Sequence, residues 1–239
     1  MNGIITALIG ALIGGAIGFY TSLYMKYLEK KEFILRNYIN HLKIANEELF
    51  IRINVLLNLR QSRKLEIIDI SSFQELEDKN TEWYNEEGAF FGTTAYFLCW
   101  LFFSIDLIKR EIPHFKLRKV KSNIVMNSLF DLQHVFLKDF GIYYAIQMSI
   151  GREMENPDGR VISYRQFVEK LQDYNSRIWF KRIVCFILDF KNGNRFRQFQ
   201  EIYKYSYELA KVLDAITESE GTLDSRLSKE SLPLFGTKF

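Results

Sequence analysis

Residues 3–25, GIITALIGALIGGAIGFYTSLYM, hold no charged side chain. A membrane-crossing helix needs about 20 mostly apolar residues to cover roughly 30 Å of hydrocarbon, and this stretch is long enough. A secretory signal peptide would carry a basic leader and end at a small-x-small cleavage site. Here only Met1 and Asn2 precede the apolar run, and it closes on Phe19, Tyr20, Tyr24 and Met25. The sequence therefore predicts a transmembrane anchor over 1–25. Lys26, Lys30, Lys31 and Arg36 follow directly, while nothing basic but the amino terminus precedes it. Positive flanks stay in the cytoplasm, so the expected orientation is amino end outside and body inside, at the cell's inner (plasma) membrane.

Small residues recur through the span at every fourth position: Thr6, Gly10, Gly14, Gly18 and Ser22, with Gly3, Ala7, Ala11 and Gly15 alongside. Glycine costs roughly 1 kcal/mol against alanine in a helix interior. In lipid, close backbone approach between helices offsets that cost. The spacing is similar to the glycine-zipper pattern of membrane helices and predicts self-association of the span into a homo-oligomer.

Beyond the span, no glycine or proline occurs between Phe19 and Glu87. Leu28, Leu35, Leu42, Leu49 and Leu56 are spaced by seven, with Ile39, Asn46 and Ile53 three residues before the later ones. That is the d and a pattern of a two-stranded coiled coil. Phe50, Leu57 and Leu59 widen the apolar face beyond a bare seam, which favours a bundle helix. Residues 26–70 are thus read as a long amphipathic, coiled-coil-like helix leading into a bundle. A four-residue small stripe and a seven-residue repeat also imply crossings of opposite hand, so some adjustment between them is expected.

Residues 71–218 read as the helical bundle, and Ser72 with Glu75 makes a capping-box start for its first helix. Residues 88–105, GAFFGTTAYFLCWLFFSI, form a second charge-free run, but KREIPHFKLRKVK follows it. A second crossing would place that basic stretch outside, so a central buried helix is expected instead. Helices are further expected over 122–138, 142–154 and from a Ser163/Gln166 capping box to about residue 173. Asn175 or Ser176 should cap the next, which ends near Gly193, and a last helix should cover 195–218. The tail, 219–239, reads as flexible. With 21 Phe and 13 Tyr among 239 residues, most of the chain has material for a packed core. The fold class is all-α: a single N-terminal transmembrane helix followed by a cytosolic multi-helix bundle.

The sequence is poor in chemistry. It has no phosphate loop, dinucleotide fingerprint, GxSxG elbow, HExxH or paired Cys/His spacing, and nothing calls for a cofactor or metal. Cys99 and Cys185 read as reduced cysteines. Asp131 and His134 lie one helical turn apart without a third partner. Two basic clusters stand out: Lys109, Arg110, Lys116, Arg118, Lys119 and Lys121, and then Arg177, Lys181, Arg182, Lys191, Arg195 and Arg197, interleaved with aromatic residues. Near an inner leaflet they could meet anionic lipid; nucleic acid or a nucleotide signal is the rival ligand. The functional expectation is a membrane-anchored helical interaction protein, a scaffold, sensor or effector. A membrane-tethered binder of nucleic acid, nucleotide or anionic lipid is the alternative, and no catalytic constellation supports an enzyme.

Overall fold

A computed structural model describes residues 2–62, 64–111, 119–217 and 221–229. Among them all regular secondary structure is helical apart from one isolated antiparallel bridge, Glu155 with Val161. The chain is all-α. One long rod opens it: α1 (Asn2–Ile34), a π-helical turn (Leu35–Ile39) and α2 (Asn40–Gln61) run on without a break. In the π-turn the Asn40 N–H donates to the Leu35 carbonyl, five residues back.

The heptad leucines resolve as a core face. Ile39, Leu42, Leu49, Ile53 and Leu56 are fully buried within the chain's own bundle, joined by Phe50 and Leu57. Asn46, at an a position, donates through Nδ2 to the Ser206 carbonyl at 2.8 Å. The polar residue that would fix register in a coiled coil fixes it here between α2 and α9 (Phe196–Thr217). Lys43 Nζ meets Asp214 at 2.5 Å and Phe50 stacks on Tyr203, so α9 runs antiparallel to α2.

The second apolar run is α4 (Ala89–Glu111), preceded by the short α3 (Thr81–Asn85). Among the described residues one helix is long and apolar enough to cross a membrane, 89–110, and 72% of it is buried inside the protein. Phe91, Leu98, Cys99, Phe102 and Ile105 place it at the centre of the core. Its far end meets the rod near Tyr38 of the π-turn and His41 of α2, while Arg52 of α2 lies over the Phe90 ring at 4.5 Å. α4 therefore runs back toward the end from which α1 leaves. α5 (Lys119–Leu137) packs on α9, and α6 (Tyr144–Glu153) on α4. The α4–α6 crossing is close because Gly151 lies against the Phe102–Phe103 backbone. α7 (Tyr164–Gln172) opens on the expected capping box, Ser163 with Gln166.

Three local expectations need correction. The cap of α8 (Tyr174–Lys191) is Asp173, whose carboxylate accepts from the Ser176 N–H at 2.8 Å, and not Asn175 or Ser176. Ser72 and Glu75 do bond, at 3.2 Å, but open only the short 3-10 turn Gln74–Asp78. The tail expected to be flexible holds α10 (Thr222–Lys229), with Leu223 and Leu227 buried against Phe50 and Ala210; residues 230–239 lie outside the described set.

Candidate functional site

The small-residue stripe lies on the first two thirds of α1, ahead of the part that meets the bundle. Gly10, Gly14 and Gly18 would each accept a Cβ with nothing within 4 Å. Residues 13–27 are all exposed, including Ile13, Ile17, Phe19, Leu23 and Ser22. Thr6 lies earlier in the same helix. Packing against the bundle begins only at Ile34, which is 3% exposed.

The structure does not assemble either basic cluster into one patch among the described side chains. In the first, Lys109 donates to Gln133, and Arg110 pairs with Asp106 at 3.1 Å and Glu155 at 2.9 Å. Lys119 and Lys121 stand in the first turn of α5; Lys116 and Arg118 fall outside the described residues. In the second, Arg177 is 4% exposed and bonds Glu77 at 3.0 Å. Lys191 donates to the Ile70 carbonyl at 2.8 Å, and Arg195 to Asp189 at 2.7 Å. Those three tie elements together. Lys181, Arg182 and Arg197 are exposed, and the first two share α8 with exposed Tyr174, Ile178 and Trp179.

Other polar groups are placed as follows. His134 approaches the Tyr144 hydroxyl at 3.3 Å and stacks on Phe130, with no bond to Asp131 among the described contacts. Cys99 is buried and free, and burial pushes its thiol well above the ordinary range; Cys185 is half-buried and shifted the same way. Among the described residues no three metal-ligating side chains converge.

One concavity was missed by sequence reasoning. A cavity of about 410 Å³ opens beside the π-turn. Phe33, Asn37, Tyr38 and His41 of the rod form one wall, Phe103, Leu107 and Arg110 of α4 a second, and the 155–161 loop a third. This volume falls within the ordinary range for small-ligand sites. The loop is the expected ENPDGR turn: Gly159 has φ +78°, the left-handed region that glycine tolerates, and the Asn156 N–H donates to the Arg160 carbonyl at 2.7 Å. It brings Arg160 across to His41, whose imidazole is held below its ordinary value by burial and then by the Arg160 charge. The sequence did carry one signal: Tyr38 and His41 are a helical turn apart, off the leucine seam. No known protein family, curated protein or solved structure matches the chain.

Proposed function

We propose that this chain is a membrane-anchored helical interaction protein whose α1 crosses the bilayer, leaving the bundle in the cytoplasm, and whose spans associate with one another. The observation that carries the reading is the exposed, uncharged surface of α1 over residues 13–25. Scattered apolar residues on a surface are ordinary, but a helix that is apolar all round belongs in a core or a bilayer. The bundle supplies no cover, and lipid would. Tyr20, Tyr24 and Tyr27 then lie at the interfacial level with Lys26, Lys30 and Lys31 just beyond. Thr6, Gly10, Gly14, Gly18 and Ser22 present a flat strip on which a second copy can pack backbone to backbone.

The test has two arms. The full-length protein should stay in the membrane fraction through alkaline and high-salt washing, and release by either wash overturns the anchor. Gly14→Ile should sharply reduce cross-linked oligomers in membranes, and an unchanged ladder overturns the association. A second reading rests on α8, where exposed Tyr174, Ile178 and Trp179 adjoin Lys181 and Arg182. Aromatic and basic groups together suit nucleic-acid bases and phosphates or an anionic lipid surface. That reading requires steeply salt-dependent binding by the full chain.

A further inference from the structure

We infer that the cavity beside the π-turn takes a small soluble molecule bearing an oxyanion, a phosphate or carboxylate, held by Arg160 and His41 with its uncharged part against Phe33, Tyr38 and Phe103. The argument begins with which charges are already committed. Arg110 is engaged twice, by Glu155 at 2.9 Å and by the buried Asp106 at 3.1 Å. Arg110 therefore uses up the acidic side of the cavity near α4. Arg160 is not engaged in that way. Among the described residues its one ion pair, with Asp158, is stretched to 3.8 Å between side chains 80% and 58% exposed. Such a pair contributes next to nothing, so the guanidinium can turn to an incoming anion with its planar fork of donors.

His41 is half-buried and makes no hydrogen bond or ion pair with any described residue. Arg160 lines the same cavity and its charge acts on the imidazole, holding it below its ordinary value after burial. Of the two carboxylates in the lining, Glu155 is paired with Arg110, which leaves Arg160 and His41 as the donors facing the open space. A neutral imidazole still offers one N–H, and a protonated one offers two. The π-turn adds a third observation. Its residues Asn37 and Tyr38 line the cavity, and π-turns recur at sites of function because they displace side chains that an unbroken α-helix would keep in register. The three aromatic rings supply the apolar walls that small-molecule sites share.

On the membrane reading, a lipid headgroup does not reach this place. Phe33 and His41 lie 8 and 16 residues past Met25, roughly 12 to 24 Å at about 1.5 Å per residue. The interfacial layer adds only about 5–8 Å beyond the hydrocarbon on each side. The site itself needs only the folded rod, α4 and the loop, so it stands or falls separately from the span.

The experiment follows the imidazole resonances of the full chain in uncharged detergent micelles. There are three histidines, and His41→Gln assigns the signal. The probe is inorganic sulfate, which keeps its charge while imidazole titrates, added at constant ionic strength. The expected result is a saturable rise in the His41 pKa. Arg160→Gln should weaken the apparent affinity roughly tenfold, the loss of one charge-assisted pair. Arg165→Gln, which alters an exposed arginine paired with Glu169 outside the cavity, should leave it unchanged. Absence of a saturable response, or the same response in Arg160→Gln, overturns the site. A response to nanodiscs of anionic lipid, with none to sulfate, overturns the soluble ligand. A sulfate response in a protein that alkaline washing strips from membranes sustains the site while the anchor fails.

Discussion

At Gly151 an added Cβ would lie 2.8 Å from the Phe102 carbonyl oxygen and 3.1 Å from the Phe103 nitrogen. Both are backbone atoms of α4 and cannot swing aside. Gly151→Ala gains about 1 kcal/mol of helix propensity but forces α6 off α4, and overpacking of this kind costs about 1–3 kcal/mol. The net expectation is destabilisation by up to about 2 kcal/mol, read as a lower midpoint in denaturant for the detergent-solubilised protein. An unchanged midpoint would mean that the crossing has slack. Gly10, Gly14 and Gly18 face the opposite situation, with open space at every Cβ, the room that the proposed packing of a second span would use. At this scale the sequence was readable where partners are close along it. The Ser163 and Gln166 box formed because both bonds lie within one turn. The α8 cap was misplaced because Asp173, Asn175 and Ser176 all have capping side chains within four positions, and only the path of the incoming chain selects Asp173.

Helix α10 shows an element held by a few side chains. Leu223 and Leu227 cover Phe50 and Ala210, Thr222 Oγ1 donates to Glu47 at 2.8 Å, and Arg226 Nη2 meets Glu48 at 2.8 Å. Eight residues with two buried leucines make a weak independent unit. Leu227→Ala removes about 2–3 kcal/mol of burial, enough to free α10 while leaving the rest of the bundle folded. Hydrogen exchange should show the amides of 223–229 losing protection with those of α2 and α9 unchanged; parallel loss in α9 would make α10 an integral part of the core. No periodic signal marks this helix, because two apolar positions in a polar stretch are too few to define a face. The leucine repeat had the opposite difficulty. Its strong signal fits a coiled-coil seam and a core helix equally well, and the choice rests on α9 and α4, which pack on α2 from distant parts of the chain. The π-turn has no sequence signature of its own. It falls between Ile34, the first buried residue of the rod, and Ile39, from which the leucine-seam face is buried without interruption.

At the scale of the whole molecule, the candidate cavity was beyond sequence reading because its three walls come from residues 33–41, 103–110 and 155–161. His41 and Arg160 are each unremarkable in isolation, and only the fold makes them neighbours. The fold also collects the Lys43–Asp214 end of the α2–α9 pair and the ends of α4 and α5 at the side from which α1 departs. If α1 crosses the bilayer with its basic flank inside, a label placed at Asn2 and one placed on α10 must report from opposite sides. Cys185→Ser removes the one half-buried thiol, and Cys99 is sealed in the core with its thiol held protonated, so background labelling is low. In that background, Asn2→Cys should react with a membrane-impermeant maleimide on intact cells. Ser225→Cys, on the exposed side of α10, should react only after the cells are opened. Labelling of Ser225→Cys on intact cells would reverse the orientation and move the bundle outside. Labelling of both positions only after lysis would leave α1 without a crossing, and its exposed apolar surface would then have to be covered by protein.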